Sequence, residues 1–182
     1  LVTDFAGKTR AFIKIQEGCD FECSYCIIPS VRGGARSHDP NLIAKQVQLL
    51  AEKGYKEFIL TGTNVGSFGK DSGHSLPALL RRLGNIRGVK RLRLGSLEPS
   101  QIDEAFIELL KEPWMAKHLH IALQHTDDAM LEIMRRRNRF VSDLALFERL
   151  ADMDIALGTD FIVGHPGEDE KRFENAYNRL HS

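Results

Sequence analysis

The chain has 182 residues, 42% of them hydrophobic, and its 25 Lys and Arg are balanced by 25 Asp and Glu to a formal net charge of zero. That much apolar material can bury a full core as one domain. Nothing in the global charge points to nucleic acid or a membrane surface, and no run approaches the roughly twenty apolar residues of a membrane span.

Short apolar runs alternate with amphipathic segments, the pattern of a parallel α/β sheet or barrel. The first strand is expected at Arg10–Gln16, and the loop after it carries every cysteine of the chain, Cys19, Cys23 and Cys26, spaced C-x3-C-x2-C. The first helix, Asn41–Lys53, starts with Asp39 as N-cap and Pro40 at the first helical position. Leu42, Ile43, Val47, Leu50 and Ala51 share one face of it, and Lys53-Gly54 ends it. A second strand at Glu57–Thr61 leads into a glycine-rich loop, and a helix is expected over Ser75–Leu83. The third strand, Arg91–Ser96, is awkward: Arg91 and Arg93 alternate with Leu92 and Leu94, yet a barrel strand is buried on both faces. Ser100 is a cap candidate for a helix at Gln101–Lys111, and Asp127 for one at Asp128–Arg137. Between them lies a strand at His118–Gln124, in which Leu119, Ile121 and Leu123 pack under helices and Gln124 points inward. A helix at Asp143–Met153, a strand at Ile155–Val163 and a helix at Glu170–Leu180 complete the series.

Five βα units in this length predict an α/β fold, an incomplete parallel (β/α) barrel, with its chemistry in the loops at the C-terminal ends of the strands. The polar and glycine residues there are the site candidates. Gly62 and Asn64 follow strand two, and Ser96 and Glu98 follow strand three, where a hydroxyl and a carboxylate suit a ribose diol. Ile162 shares parity with Asp160 after strand five, so it could meet an adenine. His125 and His165 lie in loops on the same face and are not read as catalytic. The basic run Arg135-Arg136-Arg137-Asn138-Arg139 is read as a helix C-terminus, where positive charge suits the dipole and solvent.

Three thiolates from one short loop can hold three irons of a [4Fe–4S] cube and leave the fourth open to a cofactor. The competing reading is a structural or sensing module that holds zinc or a non-catalytic cluster. The only nearby histidine is His38, twelve residues beyond Cys26, with no second C-x2-C, which is poor zinc spacing. An odd cysteine count also argues against a disulfide framework and fits a reducing cytoplasm.

Several separated blocks then agree. Gln16-Glu17-Gly18-Cys19-Asp20 through Cys26-Ile27-Ile28-Pro29, Arg32-Gly33, Arg36-Ser37, Leu60 to Gly66, Ser96 to Pro99 and Thr159 to Glu168 together resemble the central radical S-adenosylmethionine (SAM) domain of the bacterial methylthiotransferases. The resemblance implies a [4Fe–4S] cluster on Cys19, Cys23 and Cys26 whose open iron chelates SAM, with an external electron donor. It places Tyr25 and Ile162 beside the adenine, Gly62 and Asn64 at the methionine moiety, Ser96 and Glu98 at the ribose, Arg136 at the carboxylate and Gln124 within the cofactor site. It implies a cytoplasmic enzyme acting on the tRNA anticodon loop, with neither DNA nor membrane as partner. The loop and Ser-Leu-Glu-Pro segments look most like the branch that methylthiolates threonylcarbamoyl-adenosine. The alternatives are isopentenyl-adenosine and a ribosomal-protein aspartate, and Gln124-His125 occurs in the last branch. Residues 1–182 are expected to be a radical-SAM core cut from a longer protein. An N-terminal domain carrying a second [4Fe–4S] cluster and a C-terminal RNA-binding domain would flank it.

Overall fold

A computed structural model describes residues 2, 4, 5 and 7–180. The two ends of the chain, at Leu1 and at His181-Ser182, lie outside them. Strands β1 (Arg10–Lys14), β4 (Glu57–Thr61) and β5 (Arg91–Leu94) form a parallel sheet in the order β1-β4-β5. Strands β6 (His118–His120) and β7 (Ala156–Gly158) form a second parallel pair. Bridges from Leu92 to Met115 and from Leu97 to Ile121 carry the hydrogen bonding from β5 onto β6. The five parallel strands thus follow one another in chain order as an open arc, with no closure back to β1 among the described residues.

Helices α2 (Pro40–Glu52), α3 (Leu76–Gly84), α4 (Glu104–Leu109) and α6 (Phe140–Asp152) lie in the connections between these strands. The core is where their apolar stripes meet the sheet: Ile13, Ile15, Val47, Leu50, Phe58, Leu60, Leu80, Leu83 and Leu92 are fully enclosed. Asp39 caps α2 through the Asn41 amide at 2.7 Å, as expected, but Leu42 stays outside and Ala44 takes the place on the buried face. Among the described residues no helix is long and apolar enough to cross a membrane.

Glu57 resolves the awkward third strand. Parallel register sets Glu57 beside Arg91 and Ile59 beside Arg93. One carboxylate then meets both arginines, at 3.5 Å from Arg91 and 2.5 Å from Arg93. The arc is open, so this face of the strand is partly solvated and carries an ion-pair ladder instead of a packed layer.

Several expected boundaries move, each for a local reason. Ser100 caps nothing: residues Pro99–Gln101 form a single 3-10 turn, and Asp103 caps α4 by accepting from Phe106 N at 2.8 Å. Asp127 does cap α5 (Asp128–Ile133), but that helix stops well short of Arg137 because Arg135 takes a positive φ of 55°. Helix α6 begins at Phe140, three residues before Asp143. The expected strand His118–Gln124 leaves regular pairing after His120, and Gln124 turns at φ 67°. Strand β7 is likewise three residues long, although Leu119, Ile121 and Leu123 are all buried as the alternation required. Helix α7 (Glu170–Leu180) lies where it was read.

Candidate cluster and cofactor site

The cysteine loop is closed at its base. The end of the expected first strand peels off as β2 (Gln16–Glu17), which pairs antiparallel with β3 (Arg36–Ser37), so residues 18–35 form a lobe at the C-terminal end of β1. The short helix α1 (Ile28–Arg32) sits within it. Inside the lobe, Cys19 N donates to Gly33 O at 3.1 Å and Cys26 N to Cys23 O at 3.0 Å, while Asp20 accepts from Ala35 N at 2.9 Å. Gln16 is fully buried and ties this lobe to the next loop. Its amide donates to Gly18 O at 2.7 Å, and its carbonyl oxygen accepts from Asn64 N at 2.8 Å.

A cavity of about 210 Å³ opens over the strand ends, lined by all three cysteines and by Phe21, Tyr25, Asn64, Ser96, Glu98 and Gln124. Of the cofactor residues expected from sequence, Tyr25, Asn64, Ser96, Glu98 and Gln124 therefore share one cavity with the thiols. Gly62, Arg136 and Ile162 are not among its lining residues. Gly62 lies against Gln16, where a Cβ would come within 2.9 Å of two oxygens. Ile162 donates its backbone N–H to Gln124 O at 2.9 Å, beside the wall residue Gln124.

Arg136 stands behind the cavity lining, against Glu98. Positive φ at Arg135 folds the chain back, so the basic run is not simply a solvated helix end. The Arg136 side chain is buried, with two contacts of 2.5 Å from its terminal nitrogens to the two Glu98 oxygens. It also donates to Ala122 O, to Asn138 Oδ1 at 3.0 Å and toward Cys23 Sγ at 3.9 Å. Burial pushes the Glu98 carboxyl above its ordinary value, against the opposing pull of Arg136. Arg136 is thus a positioning residue for Glu98 and the Cys23 sulfur. The Tyr25 phenol is raised as well, by burial first, and its ring meets His165 edge-on at 6.3 Å between centroids.

Single polar residues that periodicity does not flag complete the wall. Gln101 donates to Asn64 Oδ1 at 2.8 Å and to Ser67 at 3.1 Å, which turns the Asn64 amide toward Cys19 Sγ at 3.4 Å. Asn138 bridges Arg136 to Asp143, 2.7 Å from its amide. His125 is buried, accepts from Asp127 N at Nδ1 and therefore donates from Nε2 to Glu168 at 2.9 Å. His165 donates to Pro166 O and accepts from Ser24 Oγ at 3.1 Å, which links the last βα loop to the cysteine lobe.

The donor set fits a multi-iron cluster. All three thiols are free. All three line the one cavity at the strand ends, and among the described residues no histidine lines it with them to complete a zinc set. N–H groups of Phe21 and Asn64 aim at Cys19 Sγ, both at 3.4 Å, and such outer hydrogen bonds suit cluster-bound thiolates.

Comparison with known proteins places this geometry. The family model described as "Radical SAM superfamily" matches residues 13–180. A Helicobacter pylori (strain J99) protein provisionally named a methylthiotransferase is 60% identical over 182 residues, covering 100% of this chain and 44% of that protein. The threonylcarbamoyladenosine tRNA methylthiotransferase of Bacillus subtilis is 42% identical, covering 97% and 40%. The ribosomal protein uS12 methylthiotransferase of Acetivibrio thermocellus is 41% identical over 172 residues, covering 92% and 38%. The chain therefore spans less than half the length of these relatives. Among solved structures, a radical S-adenosylmethionine methyltransferase from Kitasatospora setae superposes with a TM-score of 0.76 at 20% identity, over 94% of this chain and 34% of that one. The match over residues 13–180, on a parallel arc with three free thiols at its strand ends, shows that the chain belongs to the Radical SAM superfamily.

Proposed function

We propose that this chain is the catalytic core of a methylthiotransferase that adds a methylthio group to carbon 2 of the threonylcarbamoyl-adenosine beside a tRNA anticodon. The observation that carries this reading is the single cavity shared by Cys19, Cys23, Cys26, Asn64, Ser96 and Glu98. The Bacillus subtilis relative, named for threonylcarbamoyladenosine in tRNA, supports the choice of nucleoside. The cysteines would hold a [4Fe–4S] cluster, and the open iron would take SAM. When bound, the two supply the one-electron chemistry that opens the adenosine C2–H bond, with electrons from an external donor.

The chain's own residues bind, orient and exclude water. Asn64, fixed by Gln16 and Gln101, directs an N–H at the Cys19 sulfur. Ser96 and Glu98 present a hydroxyl and a carboxylate for the ribose, and Arg136 holds Glu98 in place. Leu97, Ala122 and Ile28 add apolar wall. Sulfur resupply belongs to a flanking domain with a second cluster, and a further RNA-binding domain follows this core.

A second reading, methylthiolation of a ribosomal-protein aspartate, is favoured by the near-equal identity of the uS12 methylthiotransferase, 41% against 42%. Mass spectrometry of tRNA nucleosides and of ribosomal-protein peptides from cells lacking the gene decides. The expected result is loss of the methylthio group from threonylcarbamoyl-adenosine alone. Its retention there, with loss from isopentenyl-adenosine or from the ribosomal aspartate, would refute the substrate.

A further inference from the structure

We infer that Lys70 and Arg137 form a phosphate-binding rim at the mouth of the cysteine cavity, seating the backbone of an RNA substrate over the cofactor site. This rests on the proposed reading of the enzyme as one that modifies RNA. The two cations come from different loops, one after β4 and one after α5, and meet on the same ring. The Arg137 guanidinium lies 4.3 Å from the Phe21 ring centroid and the Lys70 amine 6.0 Å from it. Phe21 is itself buried and belongs to the cavity wall with the three cysteines. A basic run on a bare helix end says little about RNA, but here the run is split. Arg136 turns inward to Glu98, while Arg137 lies over the Phe21 ring.

Both side chains are exposed, and among the described residues neither makes an ion pair. Arg137 does act on Glu98, but that carboxylate is already held through both oxygens by Arg136. Both cations lie within reach of one ring, and a guanidinium held over an aromatic face still has N–H groups to donate to phosphate. Lys70 also lines an adjoining groove of about 270 Å³ with His74, Ser75, Ser100 and Gln101. The one carboxylate there, Asp103, is occupied in capping α4. Lys70 therefore stands between the cavity mouth and a groove of mixed polar and apolar lining, long enough for a nucleotide beside the phosphate.

The test is the salt dependence of anticodon stem-loop binding by the full-length, cluster-loaded protein. Each lost phosphate contact lowers the slope of log affinity against log salt by about one. Lys70→Gln and Arg137→Gln are each expected to weaken binding several-fold and to lower that slope by about one, while Arg137→Lys retains it. Should Arg137→Gln disturb the lobe over Phe21 and lose iron, Lys70→Gln carries the test alone. Wild-type RNA binding with unchanged affinity and slope in the Gln variants would overturn the rim and leave the enzyme reading intact. A wild-type protein that binds an aspartate-bearing ribosomal peptide and no stem-loop would overturn both.

Discussion

Arg136 reaches the cavity wall with its donors spread over Glu98, Ala122 O, Asn138 and the Cys23 sulfur. The geometry holds because Asn138 is gripped in turn by Leu123 O at 3.3 Å and Asp143 at 2.7 Å. Asp143 is buried, and burial raises its carboxyl from 3.8 to about 6; Asn138 and Arg136 pull it down, Asp128 and Glu98 push it up. A folded-state value above the unfolded one means that the native chain holds this proton more tightly. The carboxyl's favourable contribution is full below about pH 4 and is lost as pH rises through about 6. Asp143→Asn keeps an acceptor for Asn138 without the charge. It should flatten stability between pH 4 and 6.5 and raise it at neutral pH by at most about 3 kcal/mol, since each tenfold change in proton affinity is worth roughly 1.4 kcal/mol. Thermal melts across that range check this, and a variant with the wild-type pH profile would contradict it. The sequence could not reveal this layer. Asn138 and Asp143 read as ordinary polar residues because the fold, not their spacing, brings them under Arg136. Cys19, Cys23 and Cys26 were legible because three ligands on one short loop need no tertiary structure to be neighbours.

The cysteine lobe depends on one backbone crossing. Gly18 has φ +73°, and a Cβ there would stand 2.0 Å from Gly34 O and 2.6 Å from Gly33 O. Gly18→Ala must adopt an unfavourable φ, at about 1–3 kcal/mol, and must also push apart the strands that close the lobe at Gln16–Glu17 and Arg36–Ser37. Most of the iron uptake should be lost. Gly54→Ala separates the two effects: φ there is +97°, but nothing lies within 4 Å of the added carbon. That variant should lose stability and still load iron normally. Equal iron content in both variants would mean that the crossing does not shape the site. Element existence was readable from alternation and caps, as Asp39 and Asp127 show, whereas extents were not. Asp103 outcompetes Ser100 because its carboxylate reaches Phe106 N, and Arg135 ends α5 through a backbone conformation that composition does not encode.

At the scale of the whole molecule, five parallel strands in chain order leave an arc, and the loops after β1, β4, β5 and β6 share one cavity. The α/β architecture and the position of the cysteine loop were legible because periodicity and the βα rule act locally. Position at the strand ends was enough to bring Asn64, Ser96, Glu98 and Gln124 to one cavity. The inward turn of Arg136 follows from the positive φ at Arg135, which no local pattern encodes. The Glu57 ladder shows the same limit, since the partner of Arg91 and Arg93 is set by register with another strand.

The central claim is that this cavity holds a site-differentiated iron–sulfur cluster and SAM. Anaerobic reconstitution with iron and sulfide, read by metal analysis together with SAM cleavage under a strong reductant, tests it directly. The predicted result is about four irons per chain, as a cuboidal cluster demands, with conversion of SAM to 5′-deoxyadenosine and loss of both in Cys23→Ala. Stoichiometric zinc with no iron uptake, or full iron loading in Cys23→Ala, would contradict it.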